Sequence, residues 1–137
     1  LIPDTYIDVP AEKIRIYKEL DSVEKDSELD KMAAKLTDRF GPVPEEVSHL
    51  FDIVRIRHRG KKLGFEKIII KNGILIAFFI SNPMSSYYKS KVFTGILEKM
   101  QHLAGVCELN NKNGKLRIIS RKVDSLAKAY DVLGKLL

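Results

Sequence analysis

The chain of 137 residues has no tryptophan and a single cysteine, Cys107. One cysteine cannot build a disulfide framework, so a reducing cytoplasm is the expected compartment. No apolar stretch approaches the roughly 18 residues that a membrane-spanning helix needs. The longest, Ile74 to Ile80, is strand-sized, and no membrane partner is expected. Neither G-x-x-x-x-G-K-[ST] nor G-x-G-x-x-G occurs, so no recognisable loop cradles a nucleotide phosphate. No nucleophile-elbow sequence places a serine for attack. The soft metal ligands are His49, His58, His102 and Cys107, and no pair has zinc-site spacing. The expectation is a non-enzyme without catalytic residues, metal or cofactor. The sequence opens on Leu1 with no secretory signal, as a piece of a longer protein would.

What is present suits one folded domain over 1–137, with a helical lead (1–64) and an α/β part (65–137). The hydrophobic fraction is 45% and the charged fraction 31%, ordinary for a globular protein. The net charge of +6 is unevenly placed. Residues 1–50 carry 7 Lys/Arg against 12 Asp/Glu, and residues 51–137 carry 17 against 6, so the parts stand at −5 and +11. Such asymmetry bears on partners rather than on fold.

Periodicity predicts an α+β fold, three N-terminal helices followed by a ββαββα unit with a small, mainly antiparallel sheet. Ala11 to Leu20 reads as a short helix, with Ile14, Tyr17 and Lys18 at helical spacing. Ser27 opens a second helix as its cap, with Asp30 at the capping-box position. Leu29, Met32, Ala33, Leu36 and Phe40 form its apolar face, and Gly41-Pro42 ends it. Pro44 restarts the chain as a third helix, which runs to Leu63 and Gly64 with Glu45 and Glu46 in its first turn. Lys67 to Lys71 and Ile74 to Ile80 then form a hairpin around Asn72-Gly73, where both turn positions need positive φ. Val92 to Leu103 is an amphipathic helix. Val106 to Leu109 and Lys115 to Ser120 make a second hairpin around Asn111 to Gly114, and Asp124 or Ser125 caps a last helix.

Candidate functional residues are few. Arg55, Arg59 and Lys62 share a helical face, and with Arg57 and Lys61 they crowd one helix end. Cations are favourable there in any case; the functional reading is phosphate contact. Tyr87-Tyr88 is either an exposed aromatic pair or a cover for the sheet. Cys107, within a strand, reads as a buried structural thiol. Glu45-Glu46 reads more simply as a helix-start pair on a solvated face than as acid-base machinery.

A family likeness rests on three segments. Ile2-Pro3-Asp4-Thr5-Tyr6-Ile7 resembles an I-P-x-x-Y-I entry. Lys13-Ile14-Arg15-Ile16-Tyr17-Lys18 resembles an R-[LI]-x-x-Y-K helix. Leu36 to Val47, L-T-D-R-F-G-P-V-P-E-E-V, resembles L-x-D-R-F-G-x-x-P-x-x-V. Over about its first half the chain is thus similar to the C-terminal domain of bacterial transcription-repair coupling factors. That resemblance implies a regulatory module following a translocase. The module packs on a UvrB-like module of the same protein and hides its UvrA-binding face until the translocase engages stalled RNA polymerase. It also implies an acidic contact surface around the D-R-F-G helix, at Asp38. Lys35 departs from a position often acidic in the family, so Asp38 is expected to act with Glu45 and Glu46. UvrA and RNA polymerase are then indirect partners. The alternative is a non-specific DNA-binding domain using the basic second part.

Without a phosphate loop, the isolated chain should show no ATP turnover above a buffer blank. Turnover that survives purification and is removed by a point substitution within 1–137 would contradict this.

Overall fold

The computed structural model describes all residues, Leu1–Leu137. The chain forms two compact units, Leu1–His58 and Arg59–Leu137. The third helix ends at Leu63, with its residues from Arg59 onward counted in the second unit.

The first unit contains α1 (Pro10–Ser22), α2 (Asp26–Phe40) and most of α3 (Glu45–Leu63). Its core is largely aliphatic, with Ile16 and Leu20 from α1, Leu29, Met32 and Leu36 from α2, and Val47, Phe51 and Val54 from α3. The lead-in joins that core through Ile2 and Ile7. The inward residues of α1 are Ile16 and Leu20, while Ile14 is 55% exposed.

The start of α2 differs from expectation. The helix begins at Asp26, its flanking Lys25 makes no side-chain cap, and the Ser27 hydroxyl does not serve as one. The neighbouring Asp26 carboxylate is engaged elsewhere. It lies 2.6 Å from Nδ1 of buried His58, whose Nε2 is 3.0 Å from the Val23 carbonyl oxygen. A tertiary contact that satisfies both nitrogens of a buried ring outweighs a local cap worth about 1 kcal/mol. At the other end of α2, Gly41 has φ 89° and donates its N–H to the Thr37 carbonyl at 2.9 Å. The Pro44 carbonyl then accepts from the amides of Val47 and Ser48 at the start of α3.

The second unit contains a four-stranded antiparallel sheet, β1 (Lys67–Lys71), β2 (Ile74–Phe78), β3 (Glu108–Lys112) and β4 (Lys115–Arg121), in the order β1-β2-β4-β3. The expected α+β order is observed, with a 3-10 turn at Ser86–Lys89 before α4 (Lys91–Met100), and α5 (Leu126–Leu136) closing the chain. Asn72 (φ 53°) and Gly73 (φ 75°) form the first hairpin turn as expected. The second turn is tighter than expected. Asn113 (φ 54°) and Gly114 (φ 77°) alone make it, and Asn111 and Lys112 pair in the strand with Leu116 and Lys115. A two-residue turn matches the twist of its flanking strands, so the ladder extends to its edge. Ser125 caps α5, accepting from the Lys128 amide at 3.0 Å.

The two sheet faces differ. Leu75, Ala77 and Ile118 on one face are wholly buried. The helical parts of this unit lie on that side. Phe79 meets Phe93 of α4 with ring centroids 5.4 Å apart, and Cys107 meets Met100 of α4 at 3.4 Å. Gly60 in the last turns of α3 lies against Ile68, and Arg59 joins that end of α3 to Tyr130 of α5.

Tyr6 and Phe40 hold the helical corner of the first unit, their ring centroids 5.9 Å apart. Phe40 is only half-buried, with Arg39 above its ring at 5.0 Å. Phe40→Ala should therefore cost about 2 kcal/mol, below the 3–5 kcal/mol of a fully buried phenylalanine. Tyr6→Phe should cost about 1 kcal/mol through its lost hydrogen bonding. Chemical denaturation measures both, and a loss under about 0.5 kcal/mol for Phe40→Ala would remove it from the core.

Candidate interaction site at the helical corner

The D-R-F-G segment is where the three motif segments converge. The Tyr6 hydroxyl lies 2.9 Å from the Gly41 carbonyl oxygen and 3.2 Å from that of Leu36. Tyr17 of α1 takes the Ile2 amide on its hydroxyl at 2.8 Å. Arg39 reaches Glu12 of α1 at 2.8 Å, and Arg15 reaches the same carboxylate from one turn on. The hydrogen bond from Arg15, joined by Arg39, holds the Glu12 carboxyl below the usual carboxylate range. A groove of about 160 Å³ runs between α1 and α2, with Arg15, Glu19, Lys35 and Arg39 at its mouth and Ile16 and Met32 below.

Within this corner the side chains separate into those bound internally and those left to solvent. Arg39, Phe40 and Tyr6 are held by internal contacts. Asp38 is exposed in the last turn of α2 and forms no ion pair. A carboxylate there faces the negative end of the helix dipole, an unfavourable position. Glu45 and Glu46 are exposed in the first turn of α3, where the dipole favours them. Glu45 also meets His49 at 3.6 Å, and Glu46 forms no ion pair. The corner Gly41–Pro44 joins the helix turns that carry these acids; no direct contact links Asp38 to either glutamate.

The basic residues do not form one free face. Arg55 is held at 3.1 Å by Asp52 and at 3.6 Å by Asp30. Arg57 lies 4.0 Å from Asp21. Arg59 belongs to the second unit, where its guanidinium donates to the Tyr130 carbonyl at 2.6 Å and stacks on the Tyr130 ring, 3.3 Å from its centroid. Gly134 makes room for it, since a Cβ there would come within 2.3 Å of Arg59. Lys61 and Lys62 are exposed and unpaired.

Sequence reasoning missed the internal role of Arg59; its only signal was an arginine near a glycine-containing helix end. Tyr87 and Tyr88 prove to be cover. They join an aromatic cluster with Phe79 and Phe93, and Tyr87 donates to the Leu63 carbonyl at 2.5 Å. Burial, followed by the neighbouring Tyr88, pushes the Tyr87 phenol up to about 12. Cys107 is buried, and burial pushes its thiol up, against thiolate formation. No group of three or more His, Cys, Asp or Glu is placed to hold a metal ion. No helix is long and apolar enough to cross a membrane.

A family model for the TRCF domain matches residues 1–90, which include the whole corner. The chain belongs to the TRCF domain family. Its TRCF segment is 35% identical over 68 residues to a transcription-repair-coupling factor of Escherichia coli K12, covering 50% of this chain and 6% of that protein. It is 33% identical over 85 residues to the one of Rickettsia bellii, covering 61% and 8%. It is 40% identical over 67 residues to the one of Staphylococcus epidermidis, covering 49% and 6%. The chain thus spans under a tenth of the length of these relatives. A solved C-terminal domain of a transcription-repair coupling factor shares the fold, with TM-score 0.77 over 98% of this chain and 84% of that one, at 18% identity. The chain is therefore a homologue of the TRCF domain of coupling factors. Residues 91–137 of this TRCF protein lie outside the family model but within the shared fold.

The packing of Arg59 generates a contrast with Lys62. Arg59→Ala should destabilise the chain by about 2 kcal/mol, from a lost charged hydrogen bond and a lost stack. Lys62→Ala should stay within about 0.5 kcal/mol of the parent. Paired melts measure both, and an Arg59→Ala protein as stable as the parent would return Arg59 to the candidates for phosphate contact.

Proposed function

We propose that this chain is a non-catalytic regulatory module of a transcription-repair coupling factor. In the resting protein it packs through the acidic corner on a UvrB-like module and covers a face that UvrA needs. Engagement of stalled RNA polymerase by the translocase releases it. The setting is a reducing cytoplasm. The observation that carries this reading is Asp38. It is exposed, unpaired and at the unfavourable end of its helix dipole, beside an arginine that is ion-paired to Glu12. A residue that works against its own helix is better explained by an external basic partner than by stability. Glu45 and Glu46 extend the negative surface across the corner. Charged contacts of this kind set register and association rate, which suits a clamp that must open.

The second reading is non-specific DNA binding by the basic part. Residues 59–137 carry 15 Lys/Arg against 5 Asp/Glu, a net +10. It is less favoured at the proposed phosphate face, since Arg55 is ion-paired and Arg59 is packed on Tyr130. Binding carried by phosphates alone would fade steeply with salt.

Asp38→Lys in the full-length protein should raise UvrA binding by the resting form about fivefold or more, because a contact made only in the closed state sets the closed-to-open balance. In the isolated chain the same change should raise stability by up to about 1 kcal/mol, as the dipole conflict is relieved. UvrA pull-down and thermal melting test the pair. Unchanged UvrA binding would reject Asp38 as a clamp residue, and a large loss of stability would make the position structural.

A further inference from the structure

The sheet face turned away from the helices of the second unit carries a pattern that the proposed clamp does not use. Cross-strand register aligns Ile69 of β1, Ile76 of β2 and Ile119 of β4 in one row. Ile69 and Ile76 are half-buried, and Ile119, 8% exposed, forms the floor of the row. Two residues along the strands on one side lie Lys71, Ile74 and Arg121; on the other lie Lys67, Phe78 and Arg117. An aliphatic stripe is thus flanked on both sides by cations.

The cations are positioned. Lys67 and Arg117 both stand 5.8 Å from the centroid of the Phe78 ring. Arg117 is further fixed by the Asn110 side-chain oxygen at 2.7 Å. Arg121 pairs with Glu108, the one acidic side chain on this face. Lys67 and Lys71 form no ion pair and are exposed on an edge strand.

We propose that this face docks an amphipathic helix with acidic flanks. Dimensions and charge both favour that occupant. Adjacent strands are about 4.8 Å apart, so the three isoleucines span about 10 Å. A helix lying across the strands has a pitch of 5.4 Å and sets apolar side chains at i, i+3 or i+4, and i+7 over successive isoleucines. The cationic rows lie about 6.6 Å to either side, two residues of rise along a strand. That is where acidic side chains beside the apolar face of a helix about 10 Å wide would fall. Single-stranded nucleic acid fits less well, because it needs aromatic platforms and the row is aliphatic. The sole aromatic, Phe78, already has two cations on it. The surface lies on another unit from Asp38, so this proposal can fail while the clamp stands, and the reverse.

The test uses the whole chain, methyl-labelled at isoleucine, with four labelled probes. The first is a peptide of about 18 residues, five turns, with leucine at i, i+3, i+4 and i+7 positions and glutamate and alanine elsewhere. The second has the same composition with the apolar period scrambled, the third has glutamine for glutamate, and the fourth is a thymidine oligonucleotide. The patterned acidic peptide should bind about tenfold more tightly than either peptide control, ~1.4 kcal/mol, and shift the methyl signals of Ile69, Ile76 and Ile119. The double variant Lys67→Glu/Lys71→Glu should weaken it about tenfold with melting unchanged. Ile76→Thr, which keeps the β-branch, should weaken it without charge change. Equal binding of the scrambled peptide, absence of shifts at these three isoleucines, or tighter binding of the oligonucleotide at them would each overturn the proposal.

Discussion

The Tyr6 hydroxyl, set between the carbonyl oxygens of Leu36 and Gly41, closes the first unit. The last carbonyls of a helix have no partner within it, and this hydroxyl serves one of them. It also ties the N-terminal lead to the end of α2. Ile2 and Ile7, on either side, can then be buried, and the Phe40 ring gains a neighbour. The turn at Gly41, with φ 89°, directs the chain away from this lock into α3.

Around that lock the charges divide by role. Glu12, Arg15 and Arg39 satisfy one another across α1 and α2. The buried His58 ring holds the Asp26 carboxylate at 2.6 Å deeper in the unit, and Asp52 and Arg55 pair along α3. What remains unpaired is therefore informative. In the first unit it includes Asp38 and Glu46, in the second Lys61, Lys62, Lys67 and Lys71. The two units differ in charge balance, with a net −4 over Leu1–His58 and +10 over Arg59–Leu137.

Much of this was legible from local chemistry. Gly41-Pro42, Asn72-Gly73 and the apolar periods of α2 and α4 declare themselves within a few residues, since backbone sterics and burial act there directly. What escaped were choices made at a distance. Asp26 is drawn to His58, 32 residues on, so the cap expected at Ser27 is not formed. Arg59 looked like a phosphate contact until Tyr130 and Gly134 enclosed it, 71 and 75 residues away. Asn111 and Lys112 have turn-like composition yet pair in β3, because the two-residue turn at Asn113-Gly114 suffices. For the candidate site, the motif marked Asp38 as a position of interest. Only the pairing of its neighbours distinguished it from Arg39.

The sheet order β1-β2-β4-β3 leaves two strands with an unsatisfied backbone edge. The β1 edge is Lys-Ile-Ile-Ile-Lys, a short β-branched core of the kind that templates pairing with another chain. Lys67 and Lys71 bracket it, and repulsion between two such edges discourages their meeting. Like charge on an edge strand is a general device against such pairing. Neutralising the two lysines, by modification or by high salt, would weaken that repulsion. The repulsion at this edge and the proposed docking on the adjoining face therefore draw on the same two ammonium groups.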